Sequence, residues 1–367
     1  MLKRPTIRDI ALKAGCHYST VSLALRNNAK IPLKTRILIQ GIAREMNYRP
    51  DPMLSALTAY RRDTKPKVGV TALAWVTNHS TRGGWKKWYI THQYYEGAKR
   101  EAESRGYRLD EFWLQEKGMT SRRLNQILET RNIQGILLPP QEKPTSIELN
   151  WEKFSAVTFG YSLIKPQLHT VTNHEYRNMR HLMKELYSRG YKRPGLVGRK
   201  HSAERVEYNW LAAFLLEQLE TEEEDRISPL ILDSWDSDTF IEWYEKTKPD
   251  VIVTRSMAVA RMLKKHGIKT PDDVGLAFNA IHEPGTNVSG IQKNAFRIGV
   301  LAADMMVDMI QRNDKGIPRF PQRHLLEGYW VEGETIRKRL PGKTAAYVNS
   351  GDHMHLNFPA QSRFLKL

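Results

Sequence analysis

A chain of 367 residues with 40% hydrophobic and 26% charged residues has room for two or three domains and the make-up of an ordinary soluble globular protein. Its formal charge is +17, and a single cysteine, Cys16, excludes an internal disulfide framework and suits a reducing cytoplasm. No stretch approaches the roughly 20 apolar residues of a membrane span, and no apolar run follows the start Met1-Leu2-Lys3-Arg4-Pro5, so neither a membrane contact nor an export signal is expected.

The charge is unevenly placed. Residues 1–65 hold thirteen Lys or Arg against Asp9, Glu45, Asp51 and Asp63, about half of the excess in less than a fifth of the chain. A polyanion partner suits that end, because neutralised phosphates release counterions. The same stretch patterns as helices. Thr6 stands as an N-cap with Asp9 in a capping-box place, Ile7, Ile10, Ala11 and Ala14 recur at helical spacing, and Gly15 can end the helix in a left-handed conformation. Cys16 and His17 complete a turn, after which Val21, Ala24 and Leu25 form a second apolar face and leave Tyr18, Ser19 and Ser22 on the polar side. The pair reads as a helix-turn-helix whose second helix is free to face a major groove. A third helical pattern covers about 33–46, with Ile37, Leu38, Ile42 and Met46 apolar. Asn47-Tyr48-Arg49-Pro50-Asp51-Pro52 breaks it, and Met53-Leu54-Ser55-Ala56-Leu57 follows ahead of Arg61-Arg62.

Beyond residue 66 strands and helices alternate. Strands are expected at 68–75, 107–114, 133–138, 156–161, 195–198, 230–232, 251–254 and 274–278, with helices at 92–105, 121–130, 175–188, 204–219, 237–247, 256–266 and 296–312. That rhythm implies parallel sheets wound by right-handed crossovers, in two successive α/β lobes. The acidic run 220–225 reads as a solvated loop. Residues 341–367 lack periodicity; a loose tail and a strap over a neighbouring surface both remain open.

The landmarks Thr6-Ile7 with Asp9-Ile10-Ala11, Ala14-Gly15, Thr20-Val21-Ser22, Thr35-Arg36 and Asn47-Tyr48-Arg49-Pro50 carry a specific resemblance. In them the first sixty residues resemble the headpiece and hinge of the lactose repressor/galactose repressor family of bacterial transcription regulators. The resemblance implies an all-α helix-turn-helix headpiece (1–48), a hinge helix and linker (49–65) and a two-lobed, periplasmic-binding-protein-like α/β core (66–340), followed by the tail 341–367. The family lets the chain cross between lobes three times, placed here near 163–166, 289–294 and 322–327. Lobe 1 is then about 66–164 and 293–323, and lobe 2 about 166–290 and 326–340. The implied protein is a cytoplasmic, nucleoid-associated homodimer on a palindromic double-stranded DNA operator, repression being its expected sign.

Carried over residue by residue, Tyr18 and Ser19 take the positions of base discrimination, and Thr20 and Ser22 suit phosphate contacts. Thr6, His17, Leu23, Arg26, Lys30, Arg36 and Tyr48 complete the expected DNA-contacting set in the headpiece. Two departures matter. His17 replaces the usual capping Ser, and Leu23 stands where an Arg able to grip guanine is common, so the operator should differ at that base pair. Leu57 matches the leucine that wedges into a central minor-groove step, on a short helix that Pro52 can start; an ordinary linker is the alternative. Leu54 replaces a small alanine and would crowd paired hinge helices.

Sugar-responsive members grip a small molecule between the lobes with an Arg early on a second-lobe helix and an Asp after a late strand. Here those places appear as Trp210 and Asn279, with Arg205 and Asn209 close by and Arg255 after a neighbouring strand. Trp75 and Tyr161 end first-lobe strands, where open sheets place ligand contacts, although either could equally be core. Trp210 could stack on a sugar or other metabolite, or fill an empty cleft.

An enzyme is the main rival class. No phosphate-cradling Gly-x-x-x-x-Gly-Lys-Ser/Thr and no Gly-x-Ser-x-Gly elbow occurs, and Cys16 lies in a packed turn. His353 and His355 lack further ligands, so no metal, cofactor or catalytic residue is expected. The missing export signal and the added headpiece argue against a free-standing solute-binding protein. An architectural or effector-independent DNA-binding protein with a degenerate cleft remains the alternative.

Overall fold

The computed structural model describes residues 5–25, 27–28, 30–48, 71–282 and 285–337. The expected hinge with Leu54 and Leu57, Arg26, and the 341–367 tail lie outside the described residues. The headpiece is three helices, α1 (Ile7–Ala14), α2 (Tyr18–Leu25) and α3 (Leu33–Glu45). Thr6 caps α1 in a reciprocal capping box with Asp9, and Gly15 closes it at φ 62°, a conformation a side chain would strain. Ile10, Ala11, Val21, Ala24, Ile39, Ile42 and Ala43 form one small core. The apolar face expected on α3 is corrected. Ile37 and Leu38 are each 57% exposed, while Ile39 and Ala43 turn inward with Ile42, one residue round the helix from the expected stripe.

The first lobe contains β1 (Thr71–Thr77), α4 (Tyr89–Ser104), β2 (Tyr107–Trp113), α5 (Ser121–Thr130), β3 (Gly135–Leu138), β4 (Thr145–Ser146), β5 (Ser155–Phe159), β6 (Leu163–Lys165) and β7 (His169–Asn173). The second contains α6 (Glu175–Ser188), β8 (Pro194–Arg199), α7 (Lys200–Glu204), α8 (Asn209–Glu220), β9 (Leu230–Leu232), α9 (Ser237–Thr247), β10 (Val251–Thr254), α10 (Met257–Lys265), β11 (Gly275–Ile281) and β12 (Ser289–Gln292). The chain then returns through α11 (Ala295–Arg312) and β13 (Arg323–Leu326) to the first lobe and ends with β14 (Tyr329–Val331) in the second. The sheets run β13-β7-β5-β3-β1-β2 and β14-β12-β11-β10-β8-β9. The first is parallel throughout, and the second is parallel except for β14 against β12.

The first crossing is corrected by this topology. β7 pairs in the first sheet between β5 and β13, so the chain leaves lobe 1 at 173–175; the expected position, 163–166, is instead β6 in a small sheet with β4. The other two crossings fall at 293–294 and 327–328, between β12 and α11 and between β13 and β14. The helix expected at 204–219 is divided, because Glu207 and Tyr208 take left-handed φ values of 51° and 57° between α7 and α8.

Helix α11 packs on α4 backbone to backbone. A Cβ on Gly299 would lie 2.8 Å from Ala98 N and nearer still to Tyr94 O, so the approach depends on glycine. Around it Tyr94, Ala98 and Ala102 meet Ile298, Ala302, Ala303 and Met306 in the lobe 1 core. This contact fixes α4, and with it Tyr94, against the interlobe region.

Candidate nucleic-acid interface and interlobe site

On α2, Tyr18 is 53% exposed and Ser19 is exposed, while Thr20, Ser22 and Leu23 are half-buried. His17 performs the capping that its residue type made doubtful. Its Nδ1 accepts from the Ser19 amide at 3.4 Å and lies 2.7 Å from Ser19 Oγ, and its ring lies tilted at 41° to that of Tyr18, centroids 4.2 Å apart. The Ser19 hydroxyl is thereby held against the His17 ring at the exposed start of α2. Lys30 is exposed.

Arg36 is engaged within the headpiece. Its Nη1 donates to Asn27 O and Asn27 Oδ1, each at 3.0 Å, tying the α2–α3 turn to α3 rather than reaching outward. Thr6 is likewise engaged, its Oγ1 donating to Asp9 Oδ2 at 2.7 Å, and half-buried Tyr48 packs against the headpiece core.

The three crossings leave from the C-terminal ends of β7, β12 and β13, which brings these strand ends to the junction of the lobes. Asn294 Nδ2 donates to Glu327 O at 2.6 Å, and Gly328 N to Asn178 Oδ1 at 2.7 Å, pinning the second and third crossings to each other and to α6. Within this frame lies a buried charged cluster. Lys293 Nζ donates to Glu175 Oε1 at 2.5 Å, and Arg255 Nη1 lies 3.6 Å from Glu175 Oε2. Burial alone would raise the Glu175 carboxyl, yet Lys293 and Arg255 hold it below its ordinary value. Burial brings the Lys293 ammonium down to about 8 against the pull of Glu175. His282 is held well below its ordinary value by burial and then by Arg255 and Lys293, so it stays neutral.

From lobe 2, Arg205 reaches across to lobe 1, donating to Glu142 O at 2.8 Å and Gln141 O at 3.0 Å. Arg323 of lobe 1 answers by pairing with Glu207 at 3.1 Å and lies 5.6 Å from the Tyr161 ring. Tyr161, Glu207 and Arg323 line a pocket of about 230 Å³ with Leu163, Ile164 and Gln167. Burial raises the Tyr161 hydroxyl to about 12. Asn173 Nδ2 donates to Tyr94 OH at 2.7 Å on the lobe 1 side.

Of the expected effector contacts, the structure therefore groups Tyr161, Arg205, Arg255 and Asn279 near the crossings. The other three are placed differently. Trp75 is fully buried in the lobe 1 core, its ring 5.3–5.6 Å from those of Trp85, Tyr95 and Phe159. Trp210, 1% exposed, fills the space over Gly198, where a Cβ would meet its Cη2 at 2.8 Å. Asn209 is spent on the turn, donating to Val206 O at 2.6 Å. Glu175, Lys293, His282, Tyr94 and Arg323 were missed. The available signal was position, since Glu175 and Lys293 directly adjoin crossings.

The architecture is a periplasmic-binding-protein-like α/β core carrying a helix-turn-helix headpiece. Residues 6–51 match the model of the family described as bacterial regulatory proteins, lacI family. Among solved structures, the chain is similar to a transcriptional regulator CelR–cellobiose complex, at 18% identity over 90% of this chain and 100% of that one, with a TM-score of 0.51. It is similar to the lac repressor dimer bound to operator and the anti-inducer ONPF, at 15% identity over 91% and 99% of the two chains, with a TM-score of 0.53. A periplasmic binding protein/LacI transcriptional regulator from Alkaliphilus metalliredigens QYMF complexed with D-xylulofuranose gives 15% identity over 73% and 100%, with a TM-score of 0.53. No curated protein matches the sequence. The resemblance read from the headpiece landmarks is thereby shown, and the structural likeness establishes the fold of the core. Among the described residues no helix is long and apolar enough to cross a membrane.

Proposed function

We propose that the protein is a sequence-specific DNA-binding transcription regulator, a repressor rather than an enzyme, acting in the cytoplasm as a homodimer on a palindromic operator. The observation that carries this reading is the family match over residues 6–51, joined to a second helix that leaves Tyr18 and Ser19 exposed. One headpiece offers few base contacts, and two-fold symmetry doubles them. Ser19 Oγ, bonded to His17, is set to accept from an exocyclic base amine, and Leu23 offers an apolar contact in place of a guanine-gripping arginine. Leu57 is assigned the minor-groove wedge on the family pattern.

Operator affinity responds to a small molecule between the lobes, since a ligand that prefers one lobe arrangement must alter DNA binding reciprocally. Buried Asn279, with neither amide atom hydrogen-bonded, supports an effector there. The second reading, a cleft without an effector, draws on Trp75 and Trp210 being core and on the Arg205 contacts that join the lobes. Selection of bound duplexes from a random pool tests the main reading: a two-fold symmetric consensus is expected, without guanine obligatory opposite Leu23. A consensus lacking symmetry, or none, would contradict it.

A further inference from the structure

Three adjacent strands of the second sheet share one buried face. Val253 of β10, Ala277 of β11 and Ile291 of β12 face the core beneath α6 and α8. Two residues further on come Arg255 and Lys293, each the first residue past its strand, and Asn279, which lies in β11 where its register with β12 shifts between Phe278 and Ile281. The register pairs Thr254 with Phe278, so Arg255 and Asn279 each directly follow a paired residue on neighbouring strands. Helix α6 opens over this row, with Glu175 as its first residue.

The row is over-supplied with positive charge. Arg255 and Lys293 share the single carboxylate of Glu175, and Arg205 lies close enough for its charge to be felt by Arg255. Among the described residues the other carboxylates nearby are already engaged. Glu207 pairs with Arg323, and Glu142 accepts from Ser80 N at 2.7 Å. Buried charge is tolerated when paired and hydrogen-bonded, and here two cations exceed their partners. Arg255 Nη1 has no hydrogen bond and faces Glu175 only at 3.6 Å, while Asn279, 2% exposed, uses neither its donor nor its acceptor. A bare amide in such a place is costly and marks a position that a ligand can satisfy.

We propose that the interlobe cleft takes a small anionic metabolite, its carboxylate or phosphate oxygens bound by Arg255, Lys293 and the Asn279 amide, with Glu175 holding the two cations in place until the ligand arrives. This rests on the effector reading above and names its ligand class. A neutral sugar could satisfy Asn279 but would leave the excess charge unpaired; an oxyanion answers both, and guanidinium–oxyanion bonds are the stronger kind.

The test is calorimetric titration of the full chain with D-gluconate, glucose 6-phosphate and inorganic phosphate, each matched against D-glucose. At least one anion is expected to bind at micromolar to millimolar concentration, with Arg255→Gln weakening it by about tenfold or more and Arg255→Lys less. Glu175→Gln should leave anion affinity equal or higher. Anion binding that survives Arg255→Gln would come from the basic headpiece and would overturn the assignment. Glucose binding that outcompetes the anions would overturn the ligand class while leaving an effector cleft in place. Silence from every probe, with duplex binding intact, would overturn both the class and the effector reading.

Discussion

Replacing Gly299 by alanine sets two effects of opposite sign against each other at the α4–α11 crossing. Alanine is favoured over glycine inside a helix by about 1 kcal/mol, so propensity alone would stabilise the chain. The added methyl, however, would stand 2.8 Å from Ala98 N and nearer still to Tyr94 O, both backbone atoms of α4. Carbon contacts are comfortable at about 3.5 Å or more, so relieving the Tyr94 O contact requires the helices to separate by more than an ångström. No slack exists on the other side, because a Cβ on Gly97 would reach 2.9 Å from Phe296 C. Separation would loosen Ile298, Ala302 and Met306 from Tyr94, Ala98 and Ala102 throughout the lobe 1 core. Overpacking of this sort costs about 1–3 kcal/mol and more where backbone is the obstacle. The net expectation is a loss of about 1–2 kcal/mol, read as a lower urea midpoint at unchanged slope for the lobe 1 transition. A midpoint equal to wild type, or raised by the propensity gain, would refute the close approach.

Arg36→Ala should weaken the headpiece by about 0.5–1.5 kcal/mol, because exposed Asn27 Oδ1 loses its donor while Asn27 O keeps Asn313 Nδ2, and should leave the salt dependence of DNA binding unchanged; hydrogen exchange at headpiece amides and a salt titration check the two halves. Ser19→Ala should cost about 1–3 kcal/mol on the selected operator and little on random duplex, measured by competitive mobility shift. Glu185 is half-buried, which by itself would raise its carboxyl, but His181 and Arg189 bring it down from 4.5 to about 2. Its folded pKa is therefore depressed, so its stabilising contribution is complete above about pH 4.5 and is lost as pH falls toward about 2. Glu185→Gln should flatten the acid limb of a stability profile over that window, and an unchanged limb would contradict the assignment.

The headpiece was legible because its signals are local. A capping box, a left-handed Gly15 and apolar residues three and four apart are written within a few positions of where they act. Even there, Ile37 and Leu38 misled, since a short helix offers several apolar stripes and only tertiary packing chooses among them. The core's alternation of strand and helix was equally readable. The first crossing was not, because assigning β7 to a sheet depends on its pairing with β5 and β13, the latter some 150 residues away. The same distance hid the interlobe cluster, which Glu175 and Lys293 form across 118 residues. Trp75 and Trp210 were ambiguous by type, as large aromatic side chains serve cores and ligand sites alike. Their burial assigns them to the core.

The measurement closest to the central claim is the affinity of the intact chain for its selected palindrome relative to random duplex, at physiological salt. A regulator of the proposed kind should show a ratio of at least about a thousandfold, and Leu57→Gly should lower it. A ratio near one, with the headpiece folded, would contradict the claim.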